Sequence, residues 1–226
     1  MVGACSSAQT KEKVVAGEPN DAGISRLGKS GINEVVEYHQ RATIQDLKPL
    51  MLKLYRRPPE GRDDYGKRSI EESVDLFFSS SESDLGLHQW DALTANDIVR
   101  ISLDETYQGG DRVLPFIFGL RKRIMAAYDN HVDFYYLTSI SEQKLYNSAR
   151  NIEVAAWMLA EKRNLQGELL LLSDSAGSEP RNLSYQRLIG RLIATQDNLA
   201  GIISYRSGRL IKTVVVQFAS MIFLPI

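Results

Sequence analysis

Apolar residues in this chain recur at helical spacing in one segment after another, with no strand-like runs alternating between those segments. Leu47, Leu50, Met51 and Leu54 fall at i, i+3, i+4 and i+7. Val113, Leu114, Ile117, Leu120, Ile124 and Ala127 form a second stripe, and Leu145, Ala149, Ile152, Ala156 and Leu159 a third. Another runs through Leu188, Ile189, Leu192, Ile193 and Leu199. Without β-α alternation a doubly wound sheet is not expected. The expected fold is mostly α: a single compact helical domain of about six helices over 41–226, preceded by a flexible N-terminal tether over 1–40. At 226 residues the chain is long enough for one core of that size.

Capping residues set the expected boundaries. Thr43, with Asp46 three residues on, resembles a capping box with Asp in place of Glu, and Pro58-Pro59 closes that helix. Ser69 and Glu72 repeat the pattern ahead of Val74, Phe77 and Phe78, and Ser79-Ser80-Ser81 opens a loop. Asp111 follows Gly109-Gly110 and caps a helix ending near Asn130, with Pro115 tolerated in its first turn. Ser141 opens a helix to about Asn164, in which Ser148, Ala149, Ala155 and Ala156 are small enough to admit a close neighbour. Asn182 or Ser184 starts the last clear helix, and Gly208 marks a turn.

Two stretches read both ways. Over 95–104, Val99, Ile101 and Leu103 alternate like a short strand, yet the segment also fits a helical turn. Over 210–226, Val214-Val215-Val216 is strand-like, whereas the length favours a buried helix. In either form Ile211, Val214, Val215, Phe218, Met221, Ile222, Phe223, Leu224 and Ile226 are expected to join the core.

Composition narrows the function classes. With 27 basic against 28 acidic residues the chain has no field to steer a polyanion, so no nucleic-acid partner is expected. A single cysteine excludes both an intrachain disulfide and a cysteine-based zinc site. His39, His88 and His131 share no local ligand spacing, so neither a metal nor any other cofactor is expected. No G-x-S-x-G elbow is present. Arg121-Lys122-Arg123 reads as a solvated helix face.

One short stretch does spell a catalytic motif. GISRLGKS (23–30) matches the P-loop pattern and would set Gly23, Gly28, Lys29 and Ser30 around phosphates. Such a loop works only after a buried strand, and the preceding AGEPNDA has a proline and no apolar run. Leu169 to Leu172, then Ser173 and Asp174, comes near a second nucleotide motif but follows a long helix. The segment reads as tether, and a cytosolic P-loop NTPase or other hydrolase is the alternative.

The richest polar cluster is Tyr146, Asn147, Arg150 and Asn151, on a helix that is otherwise apolar and alanine-rich. Buried amides and guanidinium groups need partners. The expected arrangement is an interior network joining this helix to the loop at Asp111 and Arg112, with Asp111 and Arg150 as an ion pair; a ligand pocket built from the same residues is the alternative.

The start, MVGACSS, resembles the end of a bacterial lipoprotein signal, in which the cysteine after two small residues receives lipid. GGDRVLPFIFGLRKRIMAAYDN (109–130), QKLYNSARNIEVAAWML (143–159) and GRLIKTVVVQFASMIFLPI (208–226) resemble a family of uncharacterised proteobacterial lipoproteins, over most of the chain from about Tyr38. That resemblance implies lipid attachment at Cys5, membrane association through the N-terminal lipid, an envelope protein partner and no assigned activity. Ser6 after the cysteine fits sorting to the periplasmic face of the outer membrane. The charged and apolar leader of such a signal does not precede Cys5 in this sequence, so the address is expected if an upstream signal peptide exists and is cytoplasmic otherwise.

Overall fold

The computed structural model describes residues 31–57, 68–81, 84–135, 139–173, 182–214 and 222–226. Among the described residues there are six α-helices: α1 (Gly31–Arg56), α2 (Ile70–Ser79), α3 (Ala95–Ser102), α4 (Val113–Ala127), α5 (Glu142–Glu161) and α6 (Ser184–Ser207). A single turn of 3-10 helix, His88–Trp90, lies between α2 and α3. No strand occurs among the described residues; the one isolated bridge joins Arg163 and Leu169. The fold is therefore all-α, as the periodicity requires.

The centre is α4. Pro115 to Leu120 are buried without interruption, on every side of the helix, and a helix apolar all round has to be surrounded. It touches α1, α3 and α5, while α1 also meets α2 and α6, and α6 lies along α5. The crossing of α3 and α4 is close at Gly119, where a Cβ would fall 2.7 Å from Val99 Cγ2 and 3.0 Å from the Ala95 carbonyl oxygen. Only glycine fits there.

Local chemistry explains most boundaries. Ser69 and Glu72 form the expected reciprocal capping box at α2. Asp111 Oδ1 accepts from the N–H groups of Val113 (2.8 Å) and Leu114 (3.1 Å) and so caps α4. Ser141 Oγ accepts from Lys144 N at the start of α5, and Asn182 Oδ1 from Ser184 N ahead of α6. Gly208, at φ 68°, ends α6 in the left-handed conformation that glycine adopts freely.

Several expectations are corrected. Residues 31–40, read as tether, are helical, and Thr43 with Asp46 lies inside α1 rather than at its cap. Thr43 Oγ instead donates to the His39 carbonyl one turn back. The ambiguous 95–104 stretch is helix through Ser102. The described parts of 210–226 are neither helix nor strand, and although Phe223 is buried, Leu210 and Ile222 are exposed. The basic triplet is not a solvated face: Arg121 donates to the Phe77 and Ser80 carbonyls, Lys122 to the Leu93 carbonyl, and Arg123 is buried. Gly23, Gly28, Lys29, Ser30 and Asp174 lie outside the described residues, as does Cys5.

Candidate functional site

The polar cluster on α5 is real but serves a different neighbour from the one expected. Asp111 is occupied by its cap and by the Tyr55 hydroxyl, 2.5 Å from Oδ2. Arg112 folds back on its own loop and donates to the Ser102, Asp104 and Tyr107 carbonyls. Arg150 pairs with Asp197 on α6 (2.6 Å) and Glu153 (3.0 Å), not with Asp111. The structure thus divides the six candidate residues between two places: Asp111 and Arg112 order the approach to α4, and the four on α5 face α6 and the C-terminal segment.

The described residues of that segment lie against α5. Gln143 holds both backbone groups of Lys212: Nε2 donates to its carbonyl (3.1 Å), and Oε1 accepts from its N–H (2.7 Å). The Tyr146 hydroxyl does the same for Val214, donating to its carbonyl (3.3 Å) and accepting from its N–H (3.1 Å). Asn151 repeats the arrangement at Leu224, with Nδ2 to the carbonyl at 3.2 Å and Leu224 N to Oδ1 at 2.6 Å. Asn147 donates to the Pro225 carbonyl (2.8 Å) and accepts from Gln143 (2.9 Å). Gln143, Asn147 and Asn151 are four residues apart and so share one line of the helix. Three side chains of a helix each supply both halves of the pairing that a neighbouring strand would give.

The last residues also fill a slot between helices. Phe223 is buried, with the guanidinium groups of Arg100 and Arg123 5.6 and 5.4 Å from its ring centroid. Arg123 donates to the Leu224 carbonyl and to Asn96 Oδ1 on α3. Among the described residues it meets no carboxylate, and burial pushes its guanidinium down to about 10. Its Nε has no hydrogen-bond partner. A buried cation compensated by a backbone carbonyl and an aromatic face depends on the chain that supplies them.

Arg150 steadies the ladder from behind. Its guanidinium lies 4.8 Å from the Tyr146 ring centroid while gripping Asp197 and Glu153. Burial raises the Glu153 carboxyl above its ordinary value of 4.5; Arg150 opposes the shift and Asp197 adds to it. Asp197 keeps one buried oxygen without a hydrogen-bond partner.

Sequence reasoning missed Gln143, Asn96, Arg100, Arg123 and Phe223 as parts of one site. Two of these carried a signal. Gln143 extends the Asn147 and Asn151 line by one turn. Arg123 falls three residues after Leu120 and four before Ala127, inside the apolar stripe of α4. Asn96 and Arg100 had none, because their place depends on how α3 crosses α4.

Among the described residues no group of three or more His, Cys, Asp or Glu side chains could hold a metal ion. No described helix is long and apolar enough to cross a membrane. No family model matches this sequence, and no characterised protein or solved structure matches it.

Proposed function

We propose that this chain is a non-enzymatic binding or scaffolding domain, carried on a bacterial envelope membrane by lipid on Cys5. The observation that supports the binding part is the α5 ladder: Gln143, Tyr146 and Asn151 each take both the N–H and the C=O of one residue. Recognition of this kind reads a peptide backbone, with side-chain selection left to one aromatic slot. The address rests on the MVGACSS start and on the lipoprotein resemblance, with the periplasmic face of the outer membrane as the site and an envelope protein as the partner.

The test is chemical. Expressed from its native locus, the protein should incorporate an alkyne-tagged fatty acid, partition with membranes, and lose both properties in Cys5→Ala. An unacylated Cys5 in a chain that leaves the membranes on lysis would remove the anchor. Calorimetry with ATP tests the P-loop alternative: micromolar affinity lost in Lys29→Ala would replace the binding-domain reading with a nucleotide enzyme.

A further inference from the structure

The last turn of α6 and the residues after it carry apolar side chains that the domain leaves uncovered. Tyr205 and Leu210 are each 91 % exposed. Ile202, one turn before Tyr205 on the same face of α6, is exposed as well, as is Val214. The backbone that carries them is held: Ser204 Oγ donates to the Arg209 carbonyl (2.5 Å), and Gln143 and Tyr146 each take both backbone groups of Lys212 and Val214. Charge around them has one sign. Arg206, Arg209 and Lys212 interleave with Tyr205 and Leu210, and no Asp or Glu occurs from Asn198 to Ile226. Arg209 lies 3.4 Å from the buried Glu142 and is still 58 % exposed, while among the described residues Arg206 and Lys212 make no ion pair. A cation in the last turn suits the helix dipole, which accounts for Arg206 but not for a bare Tyr205 or Leu210.

The patch lies at a particular end of the bundle. Along α6, Tyr185 reaches the Lys53 carbonyl, Arg191 reaches Asp46 and Gln196 reaches Thr43, so α6 runs antiparallel to α1. Its last turn is therefore level with Gly31, where α1 begins and to which the sequence after Cys5 leads.

We propose that Tyr205, Leu210, Arg206 and Lys212 form a docking surface for a phospholipid bilayer with anionic headgroups. The aromatic and aliphatic side chains enter the interface and the cations meet the headgroup phosphates. Tyrosine suits that depth, with its ring among acyl carbons and its hydroxyl among headgroups. The chain as a whole is balanced in charge, so the attraction is local. The surface rests on the envelope-membrane reading for its setting. It adds a second membrane contact, made by the folded domain itself, and sets which end of the bundle faces the bilayer.

The experiment uses the full chain carrying Cys5→Ala, which has no acylation site and no other cysteine. Vesicles of phosphatidylethanolamine and phosphatidylglycerol are compared with vesicles of phosphatidylcholine alone. At millimolar lipid the protein should sediment with the anionic vesicles, stay in solution with the neutral ones, and be released by salt. Arg206→Gln with Lys212→Gln should weaken binding at least tenfold, at about fivefold for each charge removed. A nitroxide attached at Leu210→Cys should be shielded from a water-soluble nickel reagent when vesicles are present. One at Leu165→Cys, 85 % exposed beyond the opposite end of α5, should stay in water. No sedimentation with anionic vesicles would overturn the surface, and equal binding to neutral vesicles would overturn the choice of an anionic one. A bound protein whose label at 210 remains in water would place the contact elsewhere and overturn the site. Should the double charge variant not fold, the two nitroxide positions decide the matter without it. No acyl chain is present in these measurements, so failure here leaves fatty-acid labelling at Cys5 untouched, and an unacylated Cys5 in cells leaves the vesicle result standing.

Discussion

Two polar regions lie within this helical domain, and they are built on opposite principles. In the first, Gln196 of α6 is fully buried and donates to Thr43 Oγ on α1 and to the Tyr128 hydroxyl after α4, both at 3.0 Å. Nearby, Glu37 accepts from the Phe134 N–H and Gln40 donates to the His131 carbonyl, so α1 also grips the turn that follows α4. In the second, Gln143, Tyr146 and Asn151 of α5 each take the backbone N–H and carbonyl of one residue. Gln196 recognises particular side chains on α1 and after α4 and can be satisfied by one arrangement of helices. The second region recognises main chain and is satisfied by any segment with a suitable anchor. One specifies the fold, the other a binding event.

This contrast is breakable. Gln196→Ala should be the most damaging change, costing about 2 to 4 kcal/mol through a buried cavity and the loss of the hydrogen bonds to Thr43 and Tyr128. Denaturant titration measures it, and a loss smaller than that for any ladder residue would reverse the assignment of roles. Removing residues 222–226 should cost about 2 kcal/mol, the burial of one large aromatic side chain less the entropy its release restores, and leave a cooperative helical domain. A non-cooperative melt would make the tail part of the fold. Asn151→Ala should cost about 1 kcal/mol and increase proteolysis within the last residues, while amide exchange around Gln196 stays unchanged.

The smallest effect is one of pH. The Glu153 carboxyl is raised in the folded protein by burial, against Arg150 and with Asp197, so the folded state holds its proton more tightly than the unfolded chain. Its contribution is present at low pH and is lost as pH rises from its ordinary 4.5 through the raised folded value. Glu153→Gln should flatten the part of the melting-temperature profile that lies above pH 4.5. Tyr128 behaves in the same sense at the other end: burial pushes its phenol up to about 12, so ultraviolet titration should show it ionising only as the domain opens.

The legible part of this molecule was what lies within single elements. Ser69, Asp111, Ser141 and Gly208 act where the sequence places them, because a cap is a contract among neighbours a few residues apart. The Asn147 and Asn151 pair was visible for the same reason. Their partner was not, since Leu224 lies 73 residues away and an amide does not announce whose backbone it will take. The early start of α1 escaped because its apolar positions are sparse there: Asn33, Glu37 and Gln40 are buried polar residues, which a hydrophobic stripe does not reveal. Thr43 and Asp46 looked like a cap and were found to face α6, Thr43 through Gln196 and Asp46 through Arg191.

The missing side chain at Gly119 has a consequence for a place it does not touch. Ala95 and Val99 rest directly on it; the next residue of α3, Asn96, holds Arg123, which stands one turn further along α4. A methyl group at 119 would act as a wedge, lifting α3 by a few tenths of an ångström or more and drawing Asn96 away from the guanidinium. The grip on Leu224 is thus set by a spacer one turn away on the same face of α4, and Gly119→Ala should loosen residues 222–226 without altering a single residue that holds them.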